Sequence, residues 1–291
     1  MHNVQTLGQA AIIALSALCL ACSKPATQHP PATAATAMPE TRAPERPNVG
    51  TVELDYTADG TKLEGFLAYP EDSREKRPAV LVVHEWWGLN DYARSRARML
   101  AELGYVALAV DMYGDGQSTE HPEDARKLTA ALMRSPDIAA ARFDAAVRAL
   151  RENPRVDAAH VAAIGYCMGG AIVLQMARRG VDLDAVASFH GNYGTQTPMK
   201  PDTFHGKLFI AHGAADTFTT EAQVAALKAE LDAAHADYEF VSYEGAKHGF
   251  TNPASTEAGK RAGLSIAYDA DADTRSWNTL QKVLHEAFAK P

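Results

Sequence analysis

The sequence predicts an α/β fold, a mostly parallel sheet with helices on both faces. Three observations predict it. Short apolar runs alternate along the chain with longer runs of helical periodicity, as in strand-helix-strand units. Several of those short runs are apolar throughout, as strands buried on both faces are. The turn Gly165-Tyr166-Cys167-Met168-Gly169 joins one such run directly to a helical one.

The elements follow in order. Residues 52–56 and 62–68 alternate around Asp59-Gly60, which predicts a hairpin. The run 79–84 predicts a buried central strand, and 92–103 has helical periodicity. Residues 106–110 predict another buried strand, with Asp111-Met112-Tyr113-Gly114 opening a loop at its end. Helical runs follow at 123–133 and 138–151. A strand over 161–164 and a packed helix over 170–177 flank the glycine-rich turn. Residues 185–189 predict a strand. Strands at 207–211 and 238–243 flank a helix at 221–234, and 272–288 closes the chain as a helix.

The turn around Cys167 has the spacing of a nucleophile elbow, G-x-S-x-G, with cysteine in place of serine. A strand that turns sharply into a helix strains the residue at the corner, and flanking glycines remove the Cβ atoms that would clash. The helix N-terminus that follows favours a thiolate. A buried, inert cysteine in a glycine-rich turn is the competing reading. The downstream chain separates the two. Residues 208–216 read as a strand and a loop ending in Asp216, and His248 lies just past the strand at 238–243. Nucleophile, acid and histidine in that order, each beyond a strand end, match a triad on an α/β-hydrolase-like sheet. Cys167, Asp216 and His248 are therefore the expected catalytic residues. Asp216 is expected in a partly solvated loop, acting through His248 and contributing little to stability. The Met168 N–H is expected as one oxyanion donor.

Four blocks carry a resemblance to the dienelactone hydrolase family. They are His84-Glu85-Trp86-Trp87-Gly88-Leu89-Asn90, Gly165-Tyr166-Cys167-Met168-Gly169-Gly170, His212-Gly213-Ala214-Ala215-Asp216 and His248-Gly249-Phe250. The resemblance runs from about residue 51 to the C-terminus. The elbow cysteine and the His-Glu pair are its specific parts. It implies a Cys-Asp-His triad acting on cyclic enol esters, a second oxyanion donor in the N–H of Trp86, and a role for Glu85 as partner of the resting thiol. Between His84 and two tryptophans, Glu85 is expected to be buried with a raised pKa. Trp87, Tyr113 and Tyr193 are candidate substrate contacts. Family members that act on a carboxylated dienelactone carry an arginine shortly after the histidine, and here Asn252 stands in that region. Arg94, Arg96, Arg98, Arg126 and Arg142 stay open as substitutes, and the expected substrates are the broader class of small esters and lactones.

The N-terminal segment has a different character. Residues 7–21 form an apolar stretch too short to span a bilayer comfortably, with the look of a secretory signal. Ala21 before Cys22 resembles a lipobox, which makes Cys22 the expected lipidated residue. Cys19 at the start of the box and the lack of Lys or Arg in residues 1–9 depart from that pattern. An ordinary cleaved signal and an uncleaved apolar N-terminus stay open. Residues 22–50 read as a disordered Pro/Ala/Thr-rich tether, and 51–291 as one catalytic domain.

Export to the periplasm with a lipid anchor is therefore expected. Once Cys22 is lipidated, Cys167 is the remaining thiol of the mature chain, and a free thiol in an oxidising compartment argues for a chemical role. The net charge of −8 argues against nucleic acid as a partner. A monomer acting on a small molecule, with no cofactor and no metal, is expected. Two other functions stay open: a catalytically weak binding protein on the same fold, and a thiol redox sensor. The absence of a C-x-x-C pair at Cys167 counts against the sensor.

Overall fold

The computed structural model describes residues 47–289. The apolar leader, Cys22 and the tether up to residue 46 lie outside the described residues. Val49 and Gly50, assigned to the tether by composition, belong to the first strand.

Among the described residues, eight strands form one sheet in the order β1-β2-β4-β3-β5-β6-β7-β8. β1 (Val49–Ala58) and β2 (Thr61–Pro70) form the hairpin. Asp59 and Gly60 turn it with φ of 48° and 79°, the positive values a two-residue hairpin loop requires. β2 joins β4 (Val106–Val110) antiparallel. From there β3 (Arg77–Val83), β5 (Val156–Tyr166), β6 (Ala185–Phe189), β7 (Lys207–Gly213) and β8 (Tyr238–Tyr243) run parallel. Parallel strands share one carboxyl edge. The strand order reverses between β3 and β5, and in open α/β sheets the crevice at such a reversal holds the ligand.

Among the described residues the sheet is accompanied by seven helices: α1 (Asp91–Glu102), α2 (Pro122–Met133), α3 (Pro136–Arg151), α4 (Met168–Arg178), α5 (Glu221–Ala233), α6 (Ser255–Ala262) and α7 (Ala270–Phe288). The central strands are apolar on both faces because both faces are covered. Leu81 and Val83 of β3 join Phe143 of α3, Ile172 of α4 and Leu227 of α5. Val80 and Val82, pointing the other way, join Leu100 of α1 and Leu280 and Val283 of α7. α6 has no counterpart among the expected elements. Its eight residues carry small and polar side chains around the buried Ser255 and Gly259, so the sequence offers no apolar stripe.

Candidate active site

The corner after β5 depends on missing side chains. A Cβ on Gly165 would lie 2.2 Å from the Gly169 carbonyl oxygen, and one on Gly169 would lie 2.2 Å from that of Val83. Glycine lets α4 start hard against β3 and β5. The strain falls on Cys167, which has φ 53° and ψ −113°, a region that non-glycine residues rarely occupy. Its N–H donates to the Phe189 carbonyl (3.0 Å) and to His190 Nδ1 (3.1 Å). Its sulfur stays partly exposed, ahead of the first turn of α4.

Asp216 and His248 follow the next parallel strands, β7 and β8. His248 Nδ1 donates to Asp216 Oδ2 at 2.8 Å. The other side of the ring faces Cys167, with which it lines one cavity. Burial disfavours a charged His248, but the facing Cys167 sulfur and the Asp216 carboxylate outweigh it and push its pKa up to about 10. The ring is therefore an imidazolium at neutral pH. Asp216 corrects one expectation. Its carboxylate is fully buried, not partly solvated. Its second oxygen accepts the Phe218 N–H at 2.7 Å, so the acid is a packed part of the fold.

Glu85 and Trp86 follow β3 at the same edge. Glu85 is buried, and burial raises its pKa against the opposing pull of the Asn252 amide, which donates to Oε2 at 2.6 Å. His84, buried and held below its ordinary pKa, donates from Nδ1 to the Glu85 carbonyl. Its Nε2 accepts the Met112 N–H at 3.2 Å. Met168 opens α4, so its N–H is among the first-turn amides with no partner inside the helix.

Glu85, Trp86, Cys167, Met168 and His248 meet in one cavity of about 300 Å³. Trp87, Met133, Ala171, Phe218, Leu264 and Ile266 make its walls largely apolar. Trp87 is a wall residue. Tyr113 and Tyr193 are not. Tyr113 is buried behind the wall, its hydroxyl donating to the Trp86 carbonyl at 2.8 Å. The buried Tyr193 bonds His212 Nδ1 at 3.2 Å. Both are supports, because a loop tyrosine that folds inward spends its hydroxyl on protein partners.

None of the five candidate arginines lines the cavity. Arg94 pairs with Glu53. Arg96 is buried between the Thr251 carbonyl and Asp273. Arg98 stacks on Phe66, and Arg126 is exposed on α2. Arg142 holds the carbonyls of Met112 and Tyr113. Among the described residues, no group of three or more His, Cys, Asp or Glu is placed to hold a metal.

Sequence reasoning missed His190. It is buried, and burial and the nearby His248 hold it neutral, well below the ordinary imidazole range. Its Nε2 bonds Thr251 Oγ1 at 2.8 Å while Nδ1 accepts the Cys167 N–H. Its place just past β6, matching that of His248 past β8, was the available signal. Met133 and Phe218 were also missed: Met133 ends a helical run and reads as part of its apolar face, and Phe218 is a lone apolar residue in a polar loop with no period.

A parallel sheet with a thiol, an imidazolium and a buried carboxylate at one edge defines an α/β hydrolase, and the comparisons narrow that class. The model of the "Dienelactone hydrolase family" matches residues 63–288. The chain is 28% identical to "Probable 2-oxo-3-(5-oxofuran-2-ylidene)propanoate lactonase" of a Bradyrhizobium species, over 69% of this chain and 85% of that one. It is 32% identical to a dienelactone hydrolase-like promiscuous phosphotriesterase from metagenomic libraries, whose crystal structure superposes with a TM-score of 0.75. That match covers 82% of this chain and 98% of the other. The chain belongs to the dienelactone hydrolase family and is an ester or lactone hydrolase.

Proposed function

We propose that this chain hydrolyses small, uncharged esters and lactones through a thioester on Cys167. The observation that carries the reading is the relay Asp216–His248–Cys167 at the floor of an apolar cavity. Nδ1 of His248 is committed to Asp216, so Nε2 faces the sulfur. The Cys167 thiolate, paired with the imidazolium, attacks the carbonyl carbon. The N–H groups of Met168 and Trp86 take the developing oxyanion. As the C–O bond breaks, Nε2 gives its proton to the leaving oxygen. The now neutral ring takes a proton from water, whose oxygen attacks the thioester. The carboxylic acid product departs, and thiolate and imidazolium are restored.

Glu85 acts in the resting state. Burial favours its protonated form, and in that form a carboxyl lining the same cavity as Cys167 can donate to the sulfur while Asn252 holds its other oxygen. The cavity wall carries no arginine or lysine, which favours substrates without a carboxylate.

The test is acyl-enzyme trapping. Acid quench during turnover of 4-nitrophenyl butanoate, followed by peptide mass analysis, is expected to find the acyl group on Cys167. Cys167→Ala is expected to lose both adduct and turnover with its circular dichroism unchanged. Full turnover in that variant would end this reading.

A further inference from the structure

Four large apolar residues are conspicuously exposed among the described residues: Val52, Leu103, Met133 and Phe218. Two of the four, Met133 at 48% and Phe218 at 44%, stand on the rim of the catalytic cavity. Leaving such groups in water has a cost that a ligand covering them removes. Phe218 has a local partner, since its ring centroid lies 4.9 Å from that of His248. Met133, the last residue of α2, stands at a boundary. It lines the catalytic cavity, and with Ala171 it also lines a second groove of about 680 Å³.

That groove runs between the α2–α3 junction and α4. Leu132, Pro136, Ala139, Ile172 and Met176 supply its apolar wall. Its two charged residues, Arg179 and Asp137, pair with each other at 3.2 Å. Nothing there offers an unpaired charge to a polar ligand. Ala171 lies on the first turn of α4, four residues past Cys167, so the groove opens one helical turn from the sulfur.

We infer that this groove is an acyl-chain subsite: the enzyme takes esters of medium-chain fatty acids, whose chain leaves the catalytic cavity over Met133 and lies in the groove along α4. The inference rests on the thioester reading above. In that reading the leaving oxygen must reach His248, so the alcohol part lies beside His248 and Phe218. The acyl part must leave by another route, and the wall shared through Met133 and Ala171 provides one. A thioether with three rotatable bonds suits that boundary, because it can move aside without loss of packing.

The experiment compares 4-nitrophenyl esters from ethanoate to decanoate, below their solubility limits, in the wild-type chain, Met133→Glu and Gln175→Trp. Gln175 lines the groove and not the catalytic cavity, so tryptophan there fills the groove alone. The readout is the ratio of kcat/KM for octanoate to that for butanoate. Each methylene taken from water is worth roughly a twofold to fourfold gain, so the wild-type ratio is expected to exceed about tenfold. Both variants are expected to bring the ratio close to unity. A flat wild-type profile with butanoate still turned over would overturn the subsite and leave the thioester reading standing. Variants that keep the wild-type ratio would overturn it too. Failure to hydrolyse any member of the series would refute the thioester reading, and the subsite with it.

Discussion

His248 is the residue on which the charge of the site depends. Its ordinary pKa is near 6.5, and the Cys167 sulfur and Asp216 push it up to about 10 against burial. A group whose folded pKa is raised stabilises the fold fully below its unfolded value and loses that contribution as pH rises through the folded one. The window here runs from about 6.5 to about 10. The melting temperature is expected to fall as pH rises across that window, and the alkaline limb of kcat/KM to follow near pH 10. In Asp216→Asn the limb should move to lower pH, because the countercharge is gone. A serine triad loses about 10⁴ in kcat from that change; a thiol needs less help to ionise, so the loss here should be about 10²-fold. The buried setting of Asp216 adds a stability cost that a solvated loop would not carry. A melting temperature lower by about 4–8 °C corresponds to roughly 2 kcal/mol. An unshifted pH profile in the variant would show that Asp216 does not act through His248. His84 holds the peptide between Glu85 and Trp86 by its carbonyl. In a trans peptide the N–H of Trp86 then points the opposite way. His84→Leu is expected to lower kcat about 10–100-fold with KM little changed. His84→Asn keeps a donor near the position of Nδ1 and should recover part of the loss; equal losses in the two variants would deny His84 this role.

The strand-helix corner sets the site's geometry at the scale of elements. Gly169 lets α4 touch the backbone of β3, within a distance that no Cβ allows. Both atoms a new methyl would meet first are carbonyl oxygens, of Val83 and His84, which cannot rotate away. Gly169→Ala is expected to cost about 3 kcal/mol and to part Cys167 from the loop that carries Glu85 and Trp86. Urea denaturation beside kcat reads both effects, and an unchanged midpoint would show the corner to be compliant. Most elements were legible in the sequence, because a buried parallel strand is a short apolar run and a covering helix repeats every three to four residues. β4, β6 and β8 fall where those runs fall. α6 was not legible, since its stability comes from packing of small side chains against residues 264–266 and not from a stripe of its own.

At the scale of the whole molecule, two expectations join the site to its surroundings. The cavity wall has no arginine or lysine, and its one cation, His248, is already countered by Asp216, so 4-nitrophenyl hexanoate should be preferred over the 4-nitrophenyl monoester of adipic acid by at least about tenfold in kcat/KM. Equal rates would show that a cation reaches the substrate from outside the wall. Lipid attachment at Cys22 stays a proposal, supported by the Ala21-Cys22 junction. Detergent partitioning of the wild-type chain, lost in Cys22→Ser, is its expected signature, and retention of Met1 on the mature chain would refute it. By itself the sequence determined the α/β class and the order of the elements, and it singled out Cys167, Asp216 and His248 as the candidates for a triad. Those follow from hydrophobic period, glycine placement and chain order, which are local properties. Only the tertiary structure decided which side chains share the cavity. It turned Tyr113 and Tyr193 inward, tied up the arginines, set His190 behind the elbow and left Met133 between two hollows. A side chain's direction and its partners depend on residues far along the chain, as with Arg96 and Asp273, 177 positions apart, and no local pattern records such a pairing.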